Sequence, residues 1–101
     1  MTDGNAIKLE DQAVDLVFLN HVFHEIVDRQ NVLREFMRIL KGSGRLAIVE
    51  RTRGGGFSGR LGPPVIDPLN IIHDLERAGF LSIQTSAQGQ NSAIVGRKSK
   101  P

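Results

Sequence analysis

The stretch "HVFHE", residues 21–25, carries the side chains of this sequence best suited to chemistry. His21 and His24 are three residues apart, and Glu25 follows directly. Imidazole and carboxylate groups can bind a metal ion or act as a general base near neutral pH. A zinc site of the HExxH type would need a second histidine where "HEIVD" has Asp28, and no third ligand is evident. We therefore predict no metal site and assign no catalytic residue. A general base and an ordinary polar loop remain the alternatives.

A strand must position this stretch. Residues 13–20, "AVDLVFLN", form a nearly continuous apolar run, which is expected of a strand covered on both faces. Asn20 and His21 stand at its end. Open α/β sheets bind ligands at the carboxyl ends of their strands, so these two side chains are candidate ligand contacts.

A helix and a second strand follow. Asp28 is a suitable N-cap, and "VLREFMRIL" has apolar residues at helical spacing until Gly42 offers a left-handed stop, which predicts a helix over about 29–41. Residues 44–50, "GRLAIVE", form another short apolar run and predict a second buried strand. Two strands joined by a helix predict a parallel pair and an α/β sheet.

The segment over residues 51–66 is rich in glycine, arginine and proline, which predicts a long mobile loop. Its "RGGGF", residues 53–57, has no helix directly behind it and is a poor candidate for a cofactor cradle.

The last part of the chain predicts a helix and a hairpin. Asp67 and Pro68 begin a helix that Gly79 ends, and its predicted apolar face is formed by Leu69, Ile72, Leu75 and Ala78. Two alternating runs on either side of a turn at residues 89–91 then predict an antiparallel hairpin.

Bulk composition excludes several classes of protein. A chain of 101 residues with 40% apolar and 24% charged residues is expected to form a single globular domain, residues 1–101. It has no cysteine and therefore no disulfide framework, and a net charge of only +2 without Trp or Tyr gives little reason to expect a nucleic-acid partner. No apolar stretch approaches membrane-spanning length, and the polar start is unlike a signal peptide, so we expect no membrane partner and a cytoplasmic location.

The order of several short segments resembles the C-terminal half of a class I S-adenosylmethionine-dependent methyltransferase of type 11. These segments are Asn5-Ala6, Glu10-Asp11, "VDLV" at 14–17 and "RILKGSG" at 38–44. The resemblance implies a partial Rossmann-like methyltransferase fold of about four strands, two parallel and two in a C-terminal antiparallel hairpin, with two main helices. It also implies that Asn5 and the backbone of Ala6 face the adenine of S-adenosylmethionine, with Asn20 and His21 near its methionine portion. Alternatively, Asn5 is a turn residue and Asn20 merely ends a strand.

The family's glycine-rich loop and its ribose-binding acid have no counterpart in this sequence. We therefore expect the isolated chain to bind S-adenosylmethionine weakly or not at all. One hypothesis is a methyltransferase, acting on an unknown acceptor, that a partner chain completes by supplying the missing N-terminal half. The alternative is a non-catalytic interaction module that forms a homodimer. Without the N-terminal half, the first strand of the chain is expected to become a sheet edge. Both helices are expected to cover the same face of the sheet and to leave the other face bare, which favours association.

Overall fold

The computed structural model describes residues 7–52 and 65–98. In these ranges the strands are β1 (Val14–Asn20), β2 (Leu40–Arg51), β3 (Leu81–Gln88) and β4 (Asn91–Arg97). They form one sheet in the order β1-β2-β4-β3, in which β1 and β2 are parallel and β4 is antiparallel to both its neighbours. The helices are α1 (Arg29–Ile39) and α2 (Pro68–Ala78), and a short 3₁₀ helix, Phe23–Glu25, follows β1. The predicted α/β class, the parallel pair and the C-terminal hairpin are confirmed. The predicted mobile loop lies largely outside the described residues.

Helix α1 ends earlier than predicted. Its last residue is Ile39, and Leu40 is already extended with φ −76° and ψ 141°, so the predicted left-handed stop at Gly42 is wrong. The last two carbonyls of the helix accept hydrogen bonds from the backbone N–H groups of Gln12 and Ala13, at 2.9 and 2.7 Å. Because a distant segment satisfies these carbonyls, the helix end needs no glycine turn and the chain enters β2 directly.

Helix α2 begins and ends as predicted, and three of the four residues predicted for its apolar face, Ile72, Leu75 and Ala78, pack in or against the core. Asp67 accepts a hydrogen bond from the Leu69 N–H at 2.9 Å, and Gly79 ends the helix with φ +99°. Ile71 and Leu75 are fully buried, whereas Leu69 is 57% exposed, so the prediction that Leu69 lies on the apolar face is wrong. Residues four apart share a helix face, and Ile71, four residues before Leu75, is buried where Leu69 was predicted to be.

The core lies between the sheet and the two helices. Its buried side chains come from both helices, the 3₁₀ helix, β2, β4 and the residue before β3: Phe23, Leu33, Phe36, Ile39, Leu40, Leu46, Ile48, Ile71, Leu75, Phe80 and Ile94. Both helices therefore cover the same side of the sheet, as predicted. No helix within residues 7–52 and 65–98 has the length and apolar character needed to cross a bilayer.

Strand β1 lies at an edge of the sheet, as predicted, and its two faces differ. Val17 and Leu19 pack against the core, whereas Leu16 and Phe18 are 52% and 57% exposed. Within the described residues β1 is thus not covered on both faces, contrary to the interpretation of its apolar run. The other side of the sheet, on which no helix of the described residues lies, is called here the open face. Strand alternation and register place the following side chains on it: Leu16, Phe18, Asn20, Arg45, Ala47, Val49, Arg51, Leu81, Gln84, Ser86, Gln88, Asn91, Ala93, Val95 and Arg97.

Candidate functional site

Asn20 and His21 lie at the carboxyl edge of the parallel strands, where the sequence predicted them. Asn20 pairs with Val49 in the β1–β2 register, and the His21 N–H donates a hydrogen bond to the Val49 carbonyl at 2.8 Å. His21 has φ +61°, a left-handed conformation that few residues other than glycine adopt. Both residues are exposed. They are thus available to a ligand at this edge, and their contact with a cofactor stays a prediction. Asn5 and Ala6 lie outside the described residues.

The same edge contains a hydrogen-bonded pair, His24 and Glu50. Glu50, near the end of β2, is 1% exposed. One of its oxygens accepts a hydrogen bond from the His24 backbone N–H at 2.9 Å, and its two oxygens lie 3.0 and 3.1 Å from His24 Nδ1. When Glu50 is ionised it can only accept, and the ring hydrogen that it receives is then on Nδ1. In the neutral imidazole this leaves the lone pair on Nε2.

The environment of this pair suits proton transfer. Burying a carboxylate is costly unless hydrogen bonds replace its hydration, and His24 supplies two donors to Glu50. The His24 side chain is 25% exposed, and its Nε2 lies 3.8 Å from the exposed carboxylate of Glu25. The ring is therefore partly accessible to solvent, and Glu50 holds it in one orientation. Among residues 7–52 and 65–98, no three His, Asp or Glu side chains are grouped to hold a metal ion.

Phe23 holds the short 3₁₀ helix that carries His24. Its side chain is fully buried, and the guanidinium of Arg29 lies 4.8 Å from the centre of its ring. Arg29 is in turn 3.4 Å from a carboxylate oxygen of Asp74 on α2. These contacts tie the segment after β1 to both helices, so His24 is presented by a fixed element.

Sequence reasoning found His24 but missed its partner. The sequence analysis grouped His21 with His24 because they are close in the chain, whereas the structure pairs His24 with Glu50, 26 residues away. An available signal was the acidic residue directly after the apolar run "LAIV", since a carboxylate at the end of a buried strand needs a donor.

Further polar groups continue along this edge. Ser92 is the register partner of Glu50 and is 7% exposed, and its hydroxyl lies 2.6 Å from that of Thr52. The Nε of Arg51 is buried and has no hydrogen-bond partner among the described residues. The edge thus offers both donors and acceptors, which fits one side of a site for a polar cofactor.

A second network positions the segment that follows Asn5 and Ala6 in the chain. The Arg38 guanidinium donates to the carbonyls of Ile7 and Leu9, each at 2.8 Å. The same guanidinium pairs with the carboxylates of Asp11 and Glu35. The Ile7 N–H also donates to Glu35, at 3.1 Å. The hydrogen bond from Arg38, followed by that from Ile7, lowers the pKa of Glu35, and the same carboxylate raises the pKa of Arg38. Residues 7–9 are therefore anchored to α1.

Comparison with known protein sequences identifies a family model and several relatives that match this chain. Residues 1–48 match the model of a family described as methyltransferase domain. An uncharacterized methyltransferase of Schizosaccharomyces pombe is 30% identical over 101 residues, an alignment that covers 94% of this chain and 34% of the yeast protein. The ubiquinone/menaquinone biosynthesis C-methyltransferase of Campylobacter jejuni is 36% identical over 53 residues, or 50% of this chain and 23% of the bacterial protein. The chain thus spans about a third or less of these curated relatives.

Comparison of the fold with solved structures agrees with these sequence matches. A crystal structure of an S-adenosylmethionine-dependent methyltransferase from Aquifex aeolicus superposes with a TM-score of 0.77 at 25% identity. The match covers 96% of this chain and 52% of the Aquifex protein. Together, the family model, the methyltransferase relatives and the fold support the class I S-adenosylmethionine-dependent methyltransferase family for this chain.

Proposed function

We propose that the chain forms the C-terminal half of an S-adenosylmethionine-dependent methyltransferase and takes part in methyl transfer to an acceptor once a partner chain supplies the other half. The observation that carries this proposal is the carboxyl edge of the sheet, where exposed Asn20 and His21 adjoin the His24–Glu50 pair. The likeness to the Aquifex enzyme over 52% of its length supports the same assignment. The cytoplasm remains the predicted location.

The residues of this edge have separate roles in the proposed reaction. S-adenosylmethionine, when bound, supplies a methyl group already activated by a sulfonium. Asn20 and the turn at His21 would contact its methionine portion and orient it. His24 Nε2 would accept the proton that the acceptor loses as it becomes a nucleophile. Glu50 would hold the ring and stabilise the imidazolium that forms.

The isolated chain is expected to bind the cofactor poorly. Its described residues provide one side of a site, and the sequence has no counterpart of the glycine-rich loop. Calorimetric titration with S-adenosylmethionine and with its demethylated product should give a dissociation constant weaker than about 10 µM. Tighter binding, corresponding to about −7 kcal/mol or better, would show that the chain holds a complete site and needs no partner.

A chimera tests whether this edge serves in a complete enzyme. This chain would replace the part of the Aquifex protein that it matches, with the parent enzyme as the positive control. The folded chimera should bind S-adenosylmethionine. Asn20→Ala should weaken binding about tenfold, the loss expected for one or two hydrogen bonds to a charged ligand. Val27→Ala, at a position 99% exposed, serves as the matched control. A chimera with native circular dichroism that fails to bind the cofactor would contradict the proposal.

The edge strand favours a second candidate, a non-catalytic homodimer. Leu16 and Phe18 are exposed on β1, and an apolar edge strand favours pairing with another chain. Antiparallel pairing of β1 with its two-fold mate would give a continuous eight-stranded sheet and satisfy the free backbone groups. Stacking of the two open faces is less favourable, because the described side chains of that face include arginines and no acid.

Light scattering with charged variants tests this second candidate. Phe18→Lys should convert the dimer to a monomer, because it places charge beside the pairing edge without disturbing the core. Val17 is less suitable, since its side chain packs against the core. Val27→Lys adds the same charge at a 99% exposed site and should leave the dimer intact. A wild-type monomer at micromolar concentration, or a dimer that Phe18→Lys does not affect, would rule out the β1 interface.

A further inference from the structure

A depression on the open face lies away from the candidate cofactor edge. It has a volume of about 250 Å³ and is lined by Arg45, Ser82, Gln84, Val95 and Arg97. Arg45 precedes Val49 by four residues along β2, which places the depression about 13 Å from the carboxyl edge. It is therefore separate from the site proposed for methyl transfer.

Two arginines form one side of this depression without a counter-charge. Arg45 and Arg97 are directly opposite each other in the antiparallel β2–β4 register, so their Cβ atoms are about 5 Å apart. Like charges at such positions are destabilising. Neither arginine has an ion pair or a side-chain hydrogen bond within the described part of the chain, whereas Arg29 and Arg38 both pair with carboxylates. The neighbouring Lys98 is already bonded to the Leu40 carbonyl at 2.6 Å.

A β-bulge shapes the opposite side of the depression. The β3–β4 register shifts between Leu81 and Gln84, and Ser82 has φ +54°. Bulges re-aim side chains, and a serine in the left-handed region is an uncommon, strained conformation. Ser82 and Gln84 both line the depression together with the arginines, and their side chains carry a hydroxyl and an amide.

We propose that this depression binds a phosphate monoester. Two guanidinium groups match the two charges of a phosphate dianion and can each donate a bidentate pair of hydrogen bonds. Ser82 and Gln84 offer further donors for the remaining oxygens. Val95 lies in the same cross-strand row as Ala47 and Phe18, so an apolar surface leads away from the arginines. That surface suits the organic portion of an ester rather than a bare inorganic ion.

Titration of the purified chain at low salt tests the proposal. Phenyl phosphate, inorganic phosphate and succinate are the probes, followed by amide chemical shifts or calorimetry. Phenyl phosphate should bind saturably and at least about threefold more tightly than inorganic phosphate, because its ring adds apolar contact. Arg45→Gln and Arg97→Gln should each weaken it about tenfold, the loss expected for a charge-assisted pair. Both side chains are exposed, so far-UV circular dichroism should be unchanged.

Arg34→Gln provides the matched control, since Arg34 is an exposed arginine on α1 that bonds to Asn31. It should not alter binding. Absence of saturable phenyl phosphate binding up to about 10 mM, which corresponds to less than 3 kcal/mol, would overturn the proposal. An equal loss of affinity for phenyl phosphate in Arg34→Gln, Arg45→Gln and Arg97→Gln would also overturn the proposal. Tighter binding of succinate than of either phosphate probe would refute the assignment to phosphate.

Discussion

Removal of the His24 ring should expose the cost of leaving the Glu50 carboxylate short of a donor. His24→Ala deletes the Nδ1 donor at 3.0 Å but keeps the backbone N–H that bonds to the same carboxylate at 2.9 Å. Glu50 is 1% exposed, so little water can replace the lost donor. A charge-assisted hydrogen bond contributes about 1.5–3 kcal/mol, and we expect a loss of about 2 kcal/mol in the free energy of unfolding. For a domain of about 100 residues this lowers Tm by roughly 8–16 °C.

Urea and thermal unfolding followed by far-UV circular dichroism measure this loss, since the chain has no Trp or Tyr for fluorescence. Glu25→Ala is the control, because that carboxylate is 71% exposed and 3.8 Å from the ring, and it should change stability by less than about 0.5 kcal/mol. The double variant that combines His24→Ala with Glu50→Leu should lose less free energy of unfolding than the sum of the two single variants, by about 1 kcal/mol or more. If His24→Ala costs no more than Glu25→Ala, the pair does not stabilise the fold and the reasoning fails.

Three further changes have expected outcomes. Gly44→Ala should lower the free energy of unfolding in urea by about 1–3 kcal/mol, because a Cβ there would lie 2.9 Å from a Leu40 side-chain carbon. An unchanged urea midpoint would mean that β2 accommodates the methyl group without strain. Leu75→Ala should cost about 2–5 kcal/mol and Leu69→Ala less than about 1 kcal/mol in urea unfolding, since the former is fully buried and the latter 57% exposed. Equal losses would contradict this difference in burial. Glu35→Gln should destabilise at neutral pH, because a carboxyl with a lowered pKa stabilises the fold above its unfolded pKa. The deficit relative to wild type should shrink as the pH falls through the folded pKa, and a deficit that grew on acidification would contradict this sign.

The candidate site was only partly predictable. Asn20 and His21 could be assigned to the carboxyl edge because an apolar run ends there and parallel strands align their carboxyl ends. The partnership of His24 with Glu50 could not be predicted, since it depends on the β1–β2 register, which brings together residues 26 positions apart. The Arg45–Arg97 pair has the same origin, because a strand register decides which side chains stand opposite each other.

The sequence by itself determined the elements, through interactions that act within a few residues. The Asp67 N-cap and the left-handed Gly79 set the ends of α2, and continuous apolar runs set the two parallel strands. Tertiary structure decided what local chemistry leaves open. The carbonyls at the end of α1 found donors at Gln12 and Ala13, so no turn formed at Gly42. Packing likewise decided that Ile71 rather than Leu69 is buried beside Leu75 on α2, because both positions fit the helical spacing and only contacts with the rest of the fold distinguish them.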